Sequence, residues 1–162
     1  MKKFIWILTL ILISSFATHA EEKIPEKIYG VKLGEKMDKA EKKLEKSPYK
    51  ILPQSHQDII EIENPKWNNL QFQLGWFIFK EEKLYAIEFL ALFNDETDMY
   101  KTYYQFKEYL EQIYLNGKQT GNPDVMQFEI PGNDNSLNVH CFMQTVDDTK
   151  IYVMKARIME KQ

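Results

Sequence analysis

The sequence predicts an α+β fold in which one twisted, mainly antiparallel sheet of about six to seven strands carries two helices. Two observations support this class. Strand-like runs rich in β-branched and aromatic residues follow one another with only short turns between them, and two segments instead repeat apolar residues at intervals of three and four. The predicted order is β-α-β-β-β-β-α-β-β-β. The chain also divides near Asn94 into two halves, each a helix followed by several strands, without evident sequence identity between them.

The N-terminus has the composition of an export signal. Lys2 and Lys3 precede an apolar run over residues 4–16, and small residues lead to a plausible cleavage site after Ala20. The alternative, an uncleaved anchor, is disfavoured because a membrane span needs about 20 apolar residues. We therefore expect a signal peptide at 1–20, a flexible leader at 21–27 and one domain at 28–160, which is periplasmic or secreted and has no stable membrane anchor after cleavage.

Charge and cysteine content exclude two classes of protein. The chain has 21 basic and 24 acidic residues, and removal of residues 1–20 leaves 19 against 24, a net charge of −5. This balance, without a dense basic stripe, argues against a nucleic-acid partner. Cys141 is the only cysteine, so no internal disulfide can form and stability must come from apolar burial.

The first half begins with a short strand at 28–33, closed by a glycine. Apolar residues at helical spacing then predict a short amphipathic helix, which Ser47-Pro48 ends. Short strands are expected at 49–52 and 58–63. Two long strands, Leu70–Phe79 and Leu84–Phe93, form a hairpin around residues 80–83. The inward positions of the helix are Met37, Ala40 and Leu44.

The second half begins with a longer helix. Asn94 to Thr97 supply capping oxygens, and Asn116-Gly117 is a typical helix stop. A loop at 117–123 leads to a strand at 125–130, and a final hairpin pairs 137–146 with 151–158 around Asp147-Asp148-Thr149. The apolar stripe of the helix is formed by Met99, Tyr103, Phe106, Leu110 and Ile113.

The opening segment Ile28-Tyr29-Gly30-Val31-Lys32-Leu33-Gly34, followed by Met37, Ala40 and Leu44, resembles the start of small bacterial envelope domains. Both BamE-like (SmpA/OmlA) lipoproteins and β-lactamase-inhibitor-protein-like domains begin in this way, and the latter repeat a helix-plus-strands unit twice. The chain lacks the lipobox cysteine of the first group and the disulfide cysteines of the second. The resemblance implies a role in binding another envelope protein, and it assigns no functional residue.

No catalytic constellation is recognisable. His140 and Cys141 are neighbours on a predicted strand, so their side chains point to opposite faces and cannot form a thiolate–imidazole pair. We expect Cys141 in the core, and His140 on the outer face with Lys155 and Arg157, where the two cations either remain solvated or receive an anion. No phosphate loop, nucleophile elbow or metal-ligand spacing occurs. We predict no cofactor, no metal site and no enzymatic activity.

The central hairpin carries the candidate binding site. Counting outward from Lys80 opposite Lys83 places Ile78, Trp76, Leu74 and Phe72 on the face toward the helices, with Tyr85, Ile87, Phe89 and Ala91. The second face is then also apolar, except where Gly75 faces Glu88, although the free side of such a sheet is usually polar. The candidate binding residues on this face are Gln73, Phe77, Phe79, Leu84, Glu88 and Leu90.

Two interpretations of that second face remain open. In one, the sheet curls or a loop such as 64–69 covers it, Gly75 marks a bulge, and Glu88 meets a lysine. In the other, it is an exposed aromatic platform for a protein partner, a second copy of the chain or an apolar ligand, with Glu88 as a polar anchor. We expect an inhibitor, immunity or assembly-factor type of protein that recognises another envelope protein. The alternatives are a carrier of a small apolar ligand between helix and sheet and, less favoured, a hydrolytic enzyme.

Overall fold

The computed structural model describes residues 24–53, 56–67, 70–114, 118–120, 127–132 and 134–160. It confirms the α+β class, with two helices, one seven-stranded antiparallel sheet and two small two-stranded sheets. The predicted signal peptide, Asn116-Gly117 and the start of the predicted strand at 125 lie outside the described residues. The elements are β1 (Lys27–Ile28), β2 (Val31–Lys32), α1 (Met37–Leu44), β3 (Ile59–Glu63), β4 (Lys66–Trp67), β5 (Leu70–Gln71), β6 (Leu74–Lys80), β7 (Lys83–Phe93), α2 (Glu96–Ile113), β8 (Lys118–Thr120), β9 (Gln127–Pro131), β10 (Asn135–Val146) and β11 (Thr149–Glu160).

The large sheet is assembled from the two halves of the chain. Its strand order is β3-β6-β7-β11-β10-β9-β8, and every neighbouring pair is antiparallel. Each half runs from a helix to an edge strand and then inward to the centre. The halves meet where β7 pairs with β11 over eight residue pairs, from Tyr152 opposite Phe93 to Met159 opposite Ala86.

Four predicted segments differ from the structure. The first predicted strand is a small hairpin of β1 and β2, because Tyr29 and Gly30 adopt positive φ (52° and 80°) and turn the chain. The long strand predicted from Leu70 is divided into β5 and β6. Residues 49–52 form only one bridge, between Ile51 and Ile62, and lie along the edge of β3. Lys118–Thr120, predicted as loop, is the edge strand β8.

Both helices follow the predicted apolar pattern. In α1, Ala40 and Leu44 are buried against the sheet. In α2, Met99, Tyr103, Phe106 and Leu110 are buried, while Ile113 is half-buried. Asp95 caps α2, since its Oδ1 accepts hydrogen bonds from the main-chain N–H of Thr97 (2.7 Å) and of Asp98 (3.2 Å).

An aromatic cluster fills the space between α2 and the sheet. The Phe72 ring lies 5.3 Å from Phe89 and 6.0 Å from Phe106, and Trp67 lies 5.4 Å and 5.6 Å from the same two rings. These are ordinary distances for tilted and edge-to-face aromatic contacts. Trp67 belongs to the loop 64–69 that was predicted to cover the second face. Because its ring contacts Phe106 of α2, it lies instead on the helix-facing side of the sheet.

Gly75 lies on β6, between β3 and β7, where the core is tightly packed. It pairs with Ile62 on β3 and with Phe89 on β7, both core residues. A Cβ atom at Gly75 would lie 2.9 Å from Ile62 Cγ1 and 3.1 Å from Pro65 Cγ. No bulge occurs at this position, so the glycine provides the space that Ile62 and Pro65 occupy.

We expect Gly75→Ala to lower the free energy of unfolding by about 1–3 kcal/mol, because the added methyl group overpacks the core. Urea denaturation of both proteins measures the difference. A double-mutant cycle supplies the control: Ile62→Ala removes the closest contacting atom, so Gly75→Ala should cost less in that background. A neutral or stabilising Gly75→Ala would contradict this account.

Candidate functional site

The register of the central hairpin differs from the one obtained by counting outward from the turn. Phe79 pairs with Leu84 as predicted, but Ile78 pairs with Ala86, so Tyr85 is an additional residue in β7 and forms a β-bulge. Beyond the bulge, every pair is displaced by one position. A displacement of one residue moves a strand's side chains to the opposite face relative to its partner.

The bulge reverses the predicted orientation of β6. Phe77 and Phe79 are 0% and 4% exposed and belong to the core, as does Leu84 (0%) at the start of β7. The prediction that these three candidate residues lie on the second face, exposed or covered, is therefore wrong. Trp76, predicted as a core residue, lies on the opposite side and is half-buried.

The other three candidate residues occupy different environments. Gln73 is exposed, and its side-chain Oε1 accepts a hydrogen bond from the main-chain N–H of Leu92 at 2.8 Å. Glu88 and Leu90 lie on the side of β7 that faces away from the core, as predicted, but they are only 4% and 8% exposed. Glu88 lies between Trp76 on β6 and Arg157 on β11, and Leu90 lies between Leu74 and Lys155.

We call the side of the sheet that faces away from the helices the open face. Within the body of the sheet and beyond the bulge of β7, its side chains alternate with core residues along β3, β6, β7, β10 and β11, and no described helix packs against it. The open face is mixed in character, as expected for the free side of an antiparallel sheet. Its central residues are Glu61, Leu74, Trp76, Ile78, Ala86, Glu88, Leu90, Leu92, Asn138, His140, Phe142, Val153, Lys155, Arg157 and Met159.

A charged cluster lies at the centre of the open face. Glu88 Oε1 is 3.1 Å from Arg157 Nε and 3.7 Å from Lys155 Nζ. The Arg157 N–H is buried and does not point at an acceptor, so its contact with Glu88 is an ion pair without an aligned hydrogen bond. One carboxylate between two cations leaves the cluster with one net positive charge.

Aromatic side chains surround this cluster. Trp76 Nε1 donates a hydrogen bond to Glu61 Oε2 at 3.0 Å. The Arg157 guanidinium carbon lies 5.8 Å from the centre of the Tyr85 ring, within the range of a cation–π contact. His140 stacks on Phe142 with ring centres 5.2 Å apart.

The surroundings of His140 favour the uncharged form of its imidazole. His140 lies on the same outward face as Lys155 and Arg157, as the sequence predicted, and pairs with Lys155 on β11. Burial lowers the pKa of His140 below its usual value, and repulsion from Lys155 and Arg157 lowers that pKa further. Protonation of His140 would add a third cation to the cluster, which the folded protein disfavours.

Cys141 lies in the core of the protein. Cys141 is 4% exposed on the core side, where burial raises the pKa of its thiol to about 12. It therefore stays protonated at neutral pH. The described part of the chain contains no group of three or more histidine, cysteine, aspartate or glutamate residues able to hold a metal ion. Among these residues, none of the helices is long and apolar enough to cross a bilayer.

Sequence reasoning placed Glu88, Lys155 and Arg157 on the outward sides of their strands but did not bring them together, because the pairing of β7 with β11 was not foreseen. It assigned Trp76 and Ile78 to the core because the bulge at Tyr85 was not foreseen. The signal for the two cations was their alternation with core residues along one strand. Comparison with known proteins does not extend the assignment, since no protein-family model, curated protein or solved structure matches this chain.

We expect Glu88→Gln to lower the free energy of unfolding by about 1–2 kcal/mol, because it leaves Arg157 and Lys155 facing each other across a neutral group. Chemical denaturation measures the change. Glu63→Gln is the matched control, because Glu63 lies 4.0 Å from Lys50 in an exposed ion pair and should contribute less than about 0.5 kcal/mol. Equal losses in the two variants would contradict a special role for the buried carboxylate.

The lowered pKa of His140 predicts a pH dependence. Since the unfolded chain binds the proton more readily, stability falls as the pH is lowered from about 7 to about 5. His140→Gln should remove this part of the decline. Denaturation at several pH values measures it, and His56→Gln, at an exposed position, is the control. An unchanged pH dependence in His140→Gln would show that the folded state does not oppose protonation.

Proposed function

We propose that this chain is an exported protein that binds another protein of the bacterial envelope through the open face of its sheet. The observation that carries the proposal is the central cluster. Two cations share one buried carboxylate on a sheet face that no described helix covers, and aromatic and aliphatic side chains surround them. Export to the periplasm rests on the composition of residues 1–20.

The open face has the composition of a protein interface. Binding energy at interfaces is concentrated in tryptophan, tyrosine and arginine, set among apolar contacts that exclude water. Trp76, Tyr85 and Arg157 lie on adjacent strands here, and Leu92 adds an aliphatic group that is 38% exposed. A partner that covers this face would bury these groups together.

The charge of the cluster specifies the partner's chemistry. Glu88 neutralises one of the two cations, so an aspartate or glutamate of the partner would satisfy the other. Lys155 is the residue suited to this contact, because its ammonium is farther from Glu88 (3.7 Å) than the Arg157 Nε atom is (3.1 Å). Such a contact contributes to specificity and to the rate of association, and both weaken as salt is added.

The packing between helix and sheet does not favour a carrier of small apolar ligands. The region where such a ligand would lie is filled by the rings of Trp67, Phe72, Phe89 and Phe106, at centre distances of 5.3–6.0 Å. Among the described residues, the aromatic cluster therefore occupies the volume that a carrier would need to keep open. Binding at the open face remains the better supported function.

We expect Lys155→Gln and Trp76→Ala each to weaken capture of the partner from an envelope extract by about tenfold or more, since each removes a central contact. Immobilised protein and quantitative mass spectrometry measure the capture. Lys101→Gln and Tyr104→Ala are matched controls, because both residues are exposed on α2, on the other side of the sheet.

The captured protein should also be released more readily as salt is raised, and the release should be less salt-dependent for Lys155→Gln. Thermal unfolding verifies that each variant is folded. Equal capture by Lys155→Gln, Trp76→Ala and the controls would overturn the open face as the binding surface.

A further inference from the structure

The last hairpin extends beyond the rest of the sheet. β9 pairs with β10 only over residues 136–140, and β7 pairs with β11 only over residues 152–159. Residues 143–151 therefore form a two-stranded projection, which we call the projecting ribbon. All of its residues from 143 to 150 are exposed. Among the described residues, no strand pairs with the outer edge of β10 from Cys141 to Val146.

This outer edge lacks the features that protect free strand edges. Soluble proteins usually place charged residues, proline or a bulge on such an edge, or cover it. The segment Cys141-Phe142-Met143-Gln144-Thr145-Val146 has no charge, no proline and no glycine, and its pairing with β11 is regular. By contrast, the free edge of β3 is covered, since Leu52 N–H donates to Glu61 O and Glu63 N–H donates to Lys50 O.

Two of the most exposed apolar side chains lie on this edge. Among the described residues, the large hydrophobic side chains with the greatest exposure are Leu92, Tyr104, Met143 and Val146. Met143 (49%) and Val146 (43%) lie on the edge segment itself. Leu92 (38%) lies two strands away from β10, in line with Phe142: it pairs with Val153 on β11, and Val153 pairs with Phe142.

The main-chain groups of this edge are arranged for pairing. Asp147 and Asp148 have φ of 47° and 61°, so they form a two-residue turn that closes on the Val146–Thr149 pair. Hydrogen-bonded and non-bonded pairs alternate in an antiparallel ladder. The N–H and C=O groups of Met143 and Thr145 therefore point outward, away from β11.

The segment is complementary to itself in the antiparallel direction. A two-fold axis at Gln144 places Met143 opposite Thr145 of the second copy, where four main-chain hydrogen bonds can form. Phe142 then lies opposite Val146, and the two Gln144 amides face each other, each with a donor and an acceptor. An interface that pairs the same surface of both subunits is the commonest kind in homodimers.

We propose that the outer edge of β10 binds a second copy of this chain, joining two projecting ribbons into a continuous four-stranded ladder. The outer edge of β10 shares Phe142 with the open face, but the contact does not involve Glu88, Lys155 or Trp76, so this proposal stands independently of the proposed function. The contact is small, which predicts a weak dimer that dissociates on dilution.

Analytical ultracentrifugation of the chain, expressed with its own leader and purified, tests the proposal at concentrations from about 5 to about 500 μM. The wild-type protein should shift from monomer to dimer. Thr145→Pro removes an outward N–H and should raise the dissociation constant at least about tenfold. Lys150→Pro is the matched control, since its N–H points to the opposite edge of the ribbon, and it should dimerise as the wild type does.

Cross-linking provides a second measurement that does not depend on proline. In a Cys141→Ala background, Gln144→Cys places two thiols opposite each other at a non-hydrogen-bonded pair, where the Cα separation of about 4.5 Å permits a disulfide. Mild oxidation should give a covalent dimer for Gln144→Cys and little for Lys150→Cys.

Three outcomes would overturn the proposal. These are a monomer throughout the concentration range, a dimer that Thr145→Pro does not weaken, and equal cross-linking of Gln144→Cys and Lys150→Cys. If the edge instead pairs with a strand of a different protein, the purified chain stays monomeric, which is the first of these outcomes.

Discussion

One additional residue in β7 determines which side chains face the helices. The bulge at Tyr85 lets Phe79 pair with Leu84 near the turn, while Ile87 pairs with Phe77 farther along. As a result, two β6 phenylalanines enter the same core layer as the inward side of β7. A regular hairpin would place those phenylalanines on the opposite side. The core, the aromatic cluster between α2 and the sheet, and the mixed composition of the open face all depend on this register.

The same register explains how Glu88 can be almost buried on a face of the sheet that no described helix covers. Glu88 is at the centre of a central strand, with Trp76 beside it on β6 and Arg157 on β11. These long side chains exclude water from the carboxylate, which costs free energy, and the two cations offset that cost. The cluster nevertheless keeps one net positive charge.

The edges of the sheet are treated unequally. The edge of β3 is covered by a short strip of residues 50–52, through main-chain hydrogen bonds. The projecting ribbon presents an uncharged strand edge instead, although the chain has abundant lysine and glutamate elsewhere. Among the described residues, the edge of β3 therefore has main-chain partners within the chain, whereas the outer edge of β10 from Cys141 to Val146 has none.

The sequence alone determined the α+β class, both helices, the segment Asn94 to Thr97 that caps α2, and the two faces of the last hairpin. These features depend on local spacing and on neighbouring residues, which are visible along the chain. Only the tertiary structure decided the bulge at Tyr85, the exclusion of Phe77 and Phe79 from the surface, and the pairing of Glu88 with cations from β11. Local alternation fixes the two sides of a strand but not which side meets the core. That choice depends on packing against strand partners that are distant in sequence, and this packing cannot be deduced from the local pattern.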